Sequence, residues 1–328
     1  MLNQKGSRIV INGAGQLGVG LYLAFKNAGV KTTLTFRTTC TEKNATLNTE
    51  KQWLKDVLGR KFDCEGYSSD EQFEGFLKSY EPTFIIDTIP VPSTKMLNNI
   101  LNVKNCFKVF FSTPAADSVK ELPQLTLDGL SLAQYPVAKA VEQEIVNKHA
   151  HENRDALVIQ IDFIPDVTVF EGKPLPSGLN YETMVLVNFK TGYYDSQLAP
   201  ALLEFLSKWP VNKGFTCTPI KSVGSLLIDL IEGKTSVPEE LFGQTVALHS
   251  ERAYLREEMI KVLNDVNHEN QSKPVDVSAS AARYKKYFSK HGITDTDVTD
   301  AIRLSNDLFH GPNLKLLIDE AMSFAKLK

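Results

Sequence analysis

Through the first half of the chain, short apolar runs alternate with stretches in which apolar residues recur every third or fourth position. A run that is apolar on both faces suits a buried strand, and helical spacing suits an amphipathic helix. The pattern predicts strands over 9–12, 32–36, 61–65, 82–88, 107–112 and 157–164, with helices over 17–27, 49–58, 70–79, 96–101 and 136–150. Strands that alternate with helices across brief loops make an open parallel sheet covered on both faces. After Pro165 the rhythm changes. Strands are expected at 181–189 and 246–250, an extended piece at 215–219, and helices at 198–209, 223–232 and 251–265. A helical tail follows from Ser278, with a boundary at Gly292. The expected fold class is therefore α/β, a Rossmann-type doubly wound parallel sheet with a smaller, mainly C-terminal substrate lobe. The division is 1–165 for the sheet domain and 166–328 for the lobe, with 240–265 returning in part to the main sheet.

The first strand runs into Gly13-Ala14-Gly15-Gln16-Leu17-Gly18, which opens the first helix. Glycine at the first position allows the turn, at the third it lets a pyrophosphate meet bare backbone, and at the sixth it lets helix and strand pack closely. The helix N-terminus adds free N–H groups and a partial positive charge. Gly13, Gly15, Gln16, Leu17 and Gly18 are thus candidates for holding a dinucleotide. An NAD site commonly has an acid at the end of the second strand, about 20 residues beyond the turn. Here Phe36 is followed by Arg37 and Thr38, with no acid until Glu42. A guanidinium beside a hydroxyl suits a 2′-phosphate, so the expected cofactor is NADP in preference to NAD.

Composition narrows the partners. A net charge of −3 gives no general attraction to nucleic acid or to acidic lipid. No apolar run reaches the roughly 20 residues that span a bilayer, and Met1 to Gly6 lacks the pattern of a secretory signal. Cys40, Cys64, Cys106 and Cys217 form no CxxC pair, which fits reduced thiols in a cytoplasmic protein. Among the histidines, only His149 and His151 are close in sequence, and they read as a polar helix end; no metal site is expected. Lys285 and Lys286, between Tyr284 and Tyr287, read as a solvated helix face. Phe189, Tyr193 and Tyr194 could line a substrate pocket or pack the second lobe.

The candidate chemistry lies after the fifth strand. Tyr135 and Lys139 are four apart at the start of a helix and share a face. A neighbouring ammonium favours the phenolate, which equips a tyrosine to exchange a proton with an alcohol or carbonyl oxygen near neutral pH. Ser112 and Thr113, at the end of the fifth strand, could polarise the same oxygen.

With the glycine turn, Phe111-Ser112-Thr113, the Tyr135/Lys139 pair and the overall length, the chain resembles the extended branch of the short-chain dehydrogenase/reductase superfamily, which includes epimerases, dehydratases and carbonyl reductases. The resemblance implies that Tyr135 is the general acid/base and that Lys139 assists it and holds the nicotinamide ribose. It implies that Thr113 is the catalytic hydroxyl, with Ser112 beside it, and that Thr88, Ile89 and Pro90 line the cofactor. It also implies that Ser68 or Ser69 lies near the adenine, and it is compatible with a homodimer. The chain differs from extended members in carrying Gln16 where they carry a glycine, and Phe163-Ile164-Pro165-Asp166 where they often carry Tyr-Gly-Pro. The expected function is an NADP-dependent oxidoreductase that reduces a small-molecule carbonyl or oxidises an alcohol. The alternatives are a non-catalytic NADP-binding regulator or scaffold, and an epimerase or dehydratase that recycles its cofactor.

Overall fold

A computed structural model describes residues 7–37, 63–119, 121–122, 125–131, 134–166, 169–170, 173–174, 214, 216–255, 258 and 278–309. The apolar runs become β1 (Ile9–Asn12), β2 (Thr32–Arg37), β3 (Cys64–Tyr67), β4 (Phe84–Asp87), β5 (Phe107–Ser112), β6 (Ala156–Ile161) and β7 (Thr245–Leu248). They pair in parallel in the order β3-β2-β1-β4-β5-β6-β7. The order reverses between β1 and β4, so the crevice of an open α/β sheet opens at their C-terminal ends. That is where the glycine turn emerges.

Parallel strands need cover on both faces. Ile9 and Ile11 of β1, Phe84 and Ile86 of β4 and Val109 of β5 share one buried cluster with α1 (Gln16–Asn27) and α5 (Ile220–Ile231). Gly224 lets these helices approach closely, since a Cβ there would lie 3.2 Å from that of Ala24. Val10, Ile85 and Phe110 point the other way, into a cluster with α2 (Asp70–Tyr80), α3 (Thr94–Leu101) and α4 (Tyr135–Asn153). The same alternation sends Asn12, Asp87 and Ser112, the last residues of β1, β4 and β5, toward the second face. C-terminal to β7 lie α6 (Ala279–Tyr287) and α7 (Asp295–Phe309), the helical lobe beyond the sheet. Among the described residues, no helix is long and apolar enough to cross a membrane.

Three expectations change. The third strand, expected over 61–65, runs through Cys64–Tyr67 and so ends two residues later, because burial of the Tyr67 ring under α2 sets its register against β2; residues 61 and 62 lie outside the described residues. Residues 251–255 are not helical: Ser250 forms a bridge with Ile293, and Arg252 is drawn to Asp295 and Glu258. Helix α5 starts at Ile220, earlier than the apolar spacing indicates, because Asp166 accepts a hydrogen bond from the Ile220 N–H at 2.7 Å. The helix expected at 49–58, the strand at 181–189 and the helix at 198–209 lie outside the described residues, as do Thr38, Phe189, Tyr193 and Tyr194.

Candidate active site

The glycine turn divides its labour among three positions. Gly13 has φ +108°, a backbone that side chains rarely adopt, and a Cβ there would lie 2.6 Å from Thr88 Oγ1. At Gly18 a Cβ would fall 1.8 Å from the Gly13 carbonyl oxygen, so helix and turn close only on hydrogen. Gly15 has nothing within 4 Å of the same construction. The middle glycine therefore leaves backbone bare toward open space, at the start of a helix whose first turn has no side-chain cap and no acid. Unpaired N–H groups and a positive helix end without a competing carboxylate fit a pyrophosphate. Leu17 is half-buried against the core and anchors that first turn. Thr88 Oγ1 donates to the Asn12 carbonyl at 2.9 Å, while Ile89 packs beside Gly13 and Pro90 is exposed. The loop after β4 thus forms one wall of the turn.

At the end of β2, Arg37 forms an ion pair with Asp70 of α2. The other oxygen of Asp70 accepts from the Ser93 hydroxyl. Ser69 caps α2 by accepting from the Gln72 N–H at 3.3 Å, and Ser68 donates to the Gln72 side chain. These hydroxyls begin a helix, and the arginine has an acidic partner.

Tyr135 is the first residue of α4 and is half-buried; Pro136 follows it at a position where its missing N–H costs little. Lys139, one turn on, is 3% exposed and donates to the Ile89 carbonyl at 2.9 Å and to Glu142 Oε2 at 2.6 Å. The lysine therefore ties α4 to the loop that walls the glycine turn. Asp87 lies close enough to act on the same ammonium, and its Oδ1 accepts from Asn12 Nδ2 at 2.8 Å. Asn12 Oδ1 in turn accepts from Thr35 and from Tyr67, each at 3.0 Å. A buried polar chain thus runs under the C-terminal edge of the sheet from β3 to α4.

Burial raises the Asp87 carboxyl to about 6 against the pull of Lys139, and raises Glu142 to about 7 against the same pull. Burial also works against the Lys139 ammonium, but Glu142, Tyr135 and Asp87 together hold its proton more tightly than usual. Asp87 Oδ2 and Glu142 Oε1 have no hydrogen-bond partner among the described residues.

The two hydroxyls at the end of β5 separate. Ser112 is 3% exposed and donates to Gln143 Oε1 at 2.8 Å. Thr113 is half-buried, and its hydroxyl oxygen accepts from the Ala115 N–H at 3.4 Å, which leaves its own O–H to donate elsewhere. Asn12, Tyr67, Asp87 and Glu142 escaped the sequence reading. Asp87 carried a signal, as a charge closing the apolar run Phe84-Ile85-Ile86, and Glu142 carried another, three residues beyond Lys139 on the same helix.

No family profile matches the chain, and no curated protein matches its sequence. Solved structures match its fold. A nucleoside-diphosphate-sugar epimerase from Pseudomonas aeruginosa aligns at TM-score 0.57 and 13% identity, covering 93% of this chain and 98% of its own. A dTDP-glucose 4,6-dehydratase from Bacillus anthracis, solved in complex with NAD, aligns at 0.58 and 11% identity, covering 95% of this chain and 100% of its own. A UDP-glucose 4-epimerase from Brucella ovis, also in complex with NAD, aligns at 0.57 and 11% identity, covering 93% and 98%. The chain thus has the Rossmann-type architecture of the epimerase and dehydratase proteins.

Two expectations are corrected. NADP was inferred from Arg37 and Thr38, but Arg37 is neutralised by Asp70, and the dehydratase and the Brucella epimerase hold NAD. The NADP-dependent carbonyl reductase falls with it, since the architecture shared is that of epimerases and a dehydratase.

Proposed function

We propose that this protein is an NAD-dependent enzyme of the epimerase/dehydratase kind, which oxidises a hydroxyl of a small molecule and recycles its cofactor. One observation carries the reading: Tyr135 and Lys139 share a face of α4, and Lys139 is bonded to the loop that packs on Gly13. Gly13, Gly15, Gln16, Leu17 and Gly18 would hold the pyrophosphate. Thr88, Ile89 and Pro90 would border the nicotinamide, and one N–H of Lys139 would be left for its ribose. Bound NAD supplies the hydride acceptor. Tyr135 would take the hydroxyl proton at its phenolic oxygen, with the Lys139 charge favouring the phenolate and Thr113 donating to the reacting oxygen.

The test is nucleotide release from purified protein, NAD+ titration, and incubation with UDP-glucose and dTDP-glucose as probes. The expected result is bound NAD, and product formed without accumulation of NADH. Tyr135→Phe should lower turnover by about 10²- to 10⁴-fold and leave NAD+ binding intact. Gly15→Val should keep the fold and lose NAD+, because its side chain would occupy the open space at the helix start. Failure of NAD+ to bind would overturn the reading. One observation favours a second reading, a nucleotide-binding protein without turnover: Ser112 is buried and committed to Gln143. NAD+ binding with no effect of Tyr135→Phe on any conversion would select it.

A further inference from the structure

Two carboxyl groups and one ammonium meet beneath the turn with almost no access to water. Asp87 is 0% exposed, Glu142 2% and Lys139 3%. The groups facing them come from every neighbouring element. Asn12 from β1 and the Ile89 N–H act on Asp87, the Ile89 carbonyl and Tyr135 of α4 act on Lys139, and Thr35 from β2, Tyr67 from β3 and Met96 Sδ from α3 stand behind Asn12. The Arg37–Asp70 pair acts on Tyr67, at the far end of this set. Of all these, Lys139 is the cation, paired with Glu142 and acting on Asp87 through its charge. With both carboxyls ionised the cluster carries one surplus negative charge, and with one protonated it is balanced. Each carboxyl also keeps one oxygen without a hydrogen-bond partner among the described residues, where a proton can reside.

The position of the cluster gives the surplus a use. Lys139 holds the Ile89 carbonyl, Ile89 packs on Gly13, and Tyr135 stands one turn before Lys139. We infer that Asp87, Lys139 and Glu142 form a charge-sensing base under the nicotinamide, favouring the cationic oxidised ring over the neutral reduced one by releasing a proton to solvent when the cationic ring binds. This rests on the NAD reading above. The sign follows from electrostatics: a nearby cation lowers a carboxyl's proton affinity, so affinity for NAD+ rises with pH through the cluster's titration and affinity for NADH does not. The Glu142 carboxyl, raised by burial to about 7, puts that titration near neutrality.

The experiment measures dissociation constants of NAD+, NADH and ADP-ribose from about pH 5.5 to about pH 8.5, with proton release on NAD+ binding read by calorimetry in two buffers. ADP-ribose shares the pyrophosphate but lacks the ring, so it reports any effect of the cluster on the phosphates. The expected result is that the ratio of the NADH to the NAD+ dissociation constant grows roughly tenfold over this range, while NADH and ADP-ribose run in parallel. Glu142→Gln should flatten the ratio and abolish the proton release. A ratio independent of pH in the unaltered protein, with both nucleotides bound, overturns the inference and leaves the cofactor reading standing. If none of the three ligands binds, both fall. If that variant does not fold, Tyr135→Phe decides the matter: proton release that persists without the phenol belongs to the carboxyls, and release that vanishes with it overturns the inference.

Discussion

Among the described residues, two lysines are shut away from water, one at each end of the sheet, and their partners differ. Lys108, at the start of β5, is 0% exposed and reaches Asp155 Oδ2 at 2.5 Å, just before β6. Asp155 is 31% exposed, and its second oxygen meets His149 Nε2 at 2.9 Å. One ammonium faces one carboxylate that has both oxygens partnered and keeps some water. Lys139, at the other end, faces two carboxyls that have almost none, each with an oxygen left over. The first arrangement is balanced and joins β5 to β6. The second is unbalanced and lies under the crevice where parallel sheets bind their ligands. Burial of a lysine alone therefore says little about function; the surplus of charge around it says more.

The largest effect expected from this contrast is on stability. Lys139→Met leaves Asp87 and Glu142 without their cation, and breaking a buried pair costs about 3–5 kcal/mol when the remaining charge is uncompensated. Both acids can escape that cost by binding protons, so the loss should be small near pH 5 and full near pH 8. Lys108→Met removes a buried charge and leaves an acid that still has water and His149, so its cost should be about 1 kcal/mol. Urea unfolding at both pH values would show it. Equal losses for the two variants, or a loss at Lys139 that ignores pH, would erase the distinction.

How much of this was legible beforehand differs by level. The alternation of buried runs and amphipathic stretches carried the sheet and most of its helices, because strands such as Ile9–Asn12 and Phe84–Asp87 depend mainly on local apolar content. The glycine turn and the Tyr135/Lys139 pair were also legible, since each is a short spacing within one element. Long-range pairing was not. Arg37 and Asp70 are 33 residues apart and meet only because β3 lies beside β2, and that contact reversed the choice of cofactor. Asn12 and Asp87 are 75 apart and meet because β1 and β4 are neighbours in the sheet.

A smaller effect isolates the surplus itself. In the folded protein Glu142 holds its proton up to about 7, against an ordinary value of 4.5. Between those values the native state binds a proton that the unfolded chain has released, so stability is greatest at the acid end and falls as pH rises through about 7. The slope is bounded by about 1.4 kcal/mol per pH unit for one proton. Glu142→Gln should remove this part of the fall, while Asp155→Asn at the balanced lysine should leave it in place. Unfolding free energies measured every half unit across the window test this, and an unchanged slope in Glu142→Gln would place the titration elsewhere.

The smallest effect marks where the unbalanced region ends. Tyr67 joins the chain by donating to Asn12 Oδ1, but that oxygen also accepts from Thr35, and Asn12 reaches Asp87 through its other end. Tyr67→Phe therefore removes one of two donors to a neutral amide and leaves the contact to the acid untouched. The expected cost is about 1 kcal/mol, the net worth of a buried hydrogen bond between uncharged groups. The Glu142-dependent slope should survive, because the charges that set it belong to Asp87, Lys139 and Glu142. If Tyr67→Phe flattened that slope as well, the titrating unit would extend across the sheet to β3. The Arg37–Asp70 pair, which acts on Tyr67, would then be joined electrostatically to the Tyr135 end of the crevice.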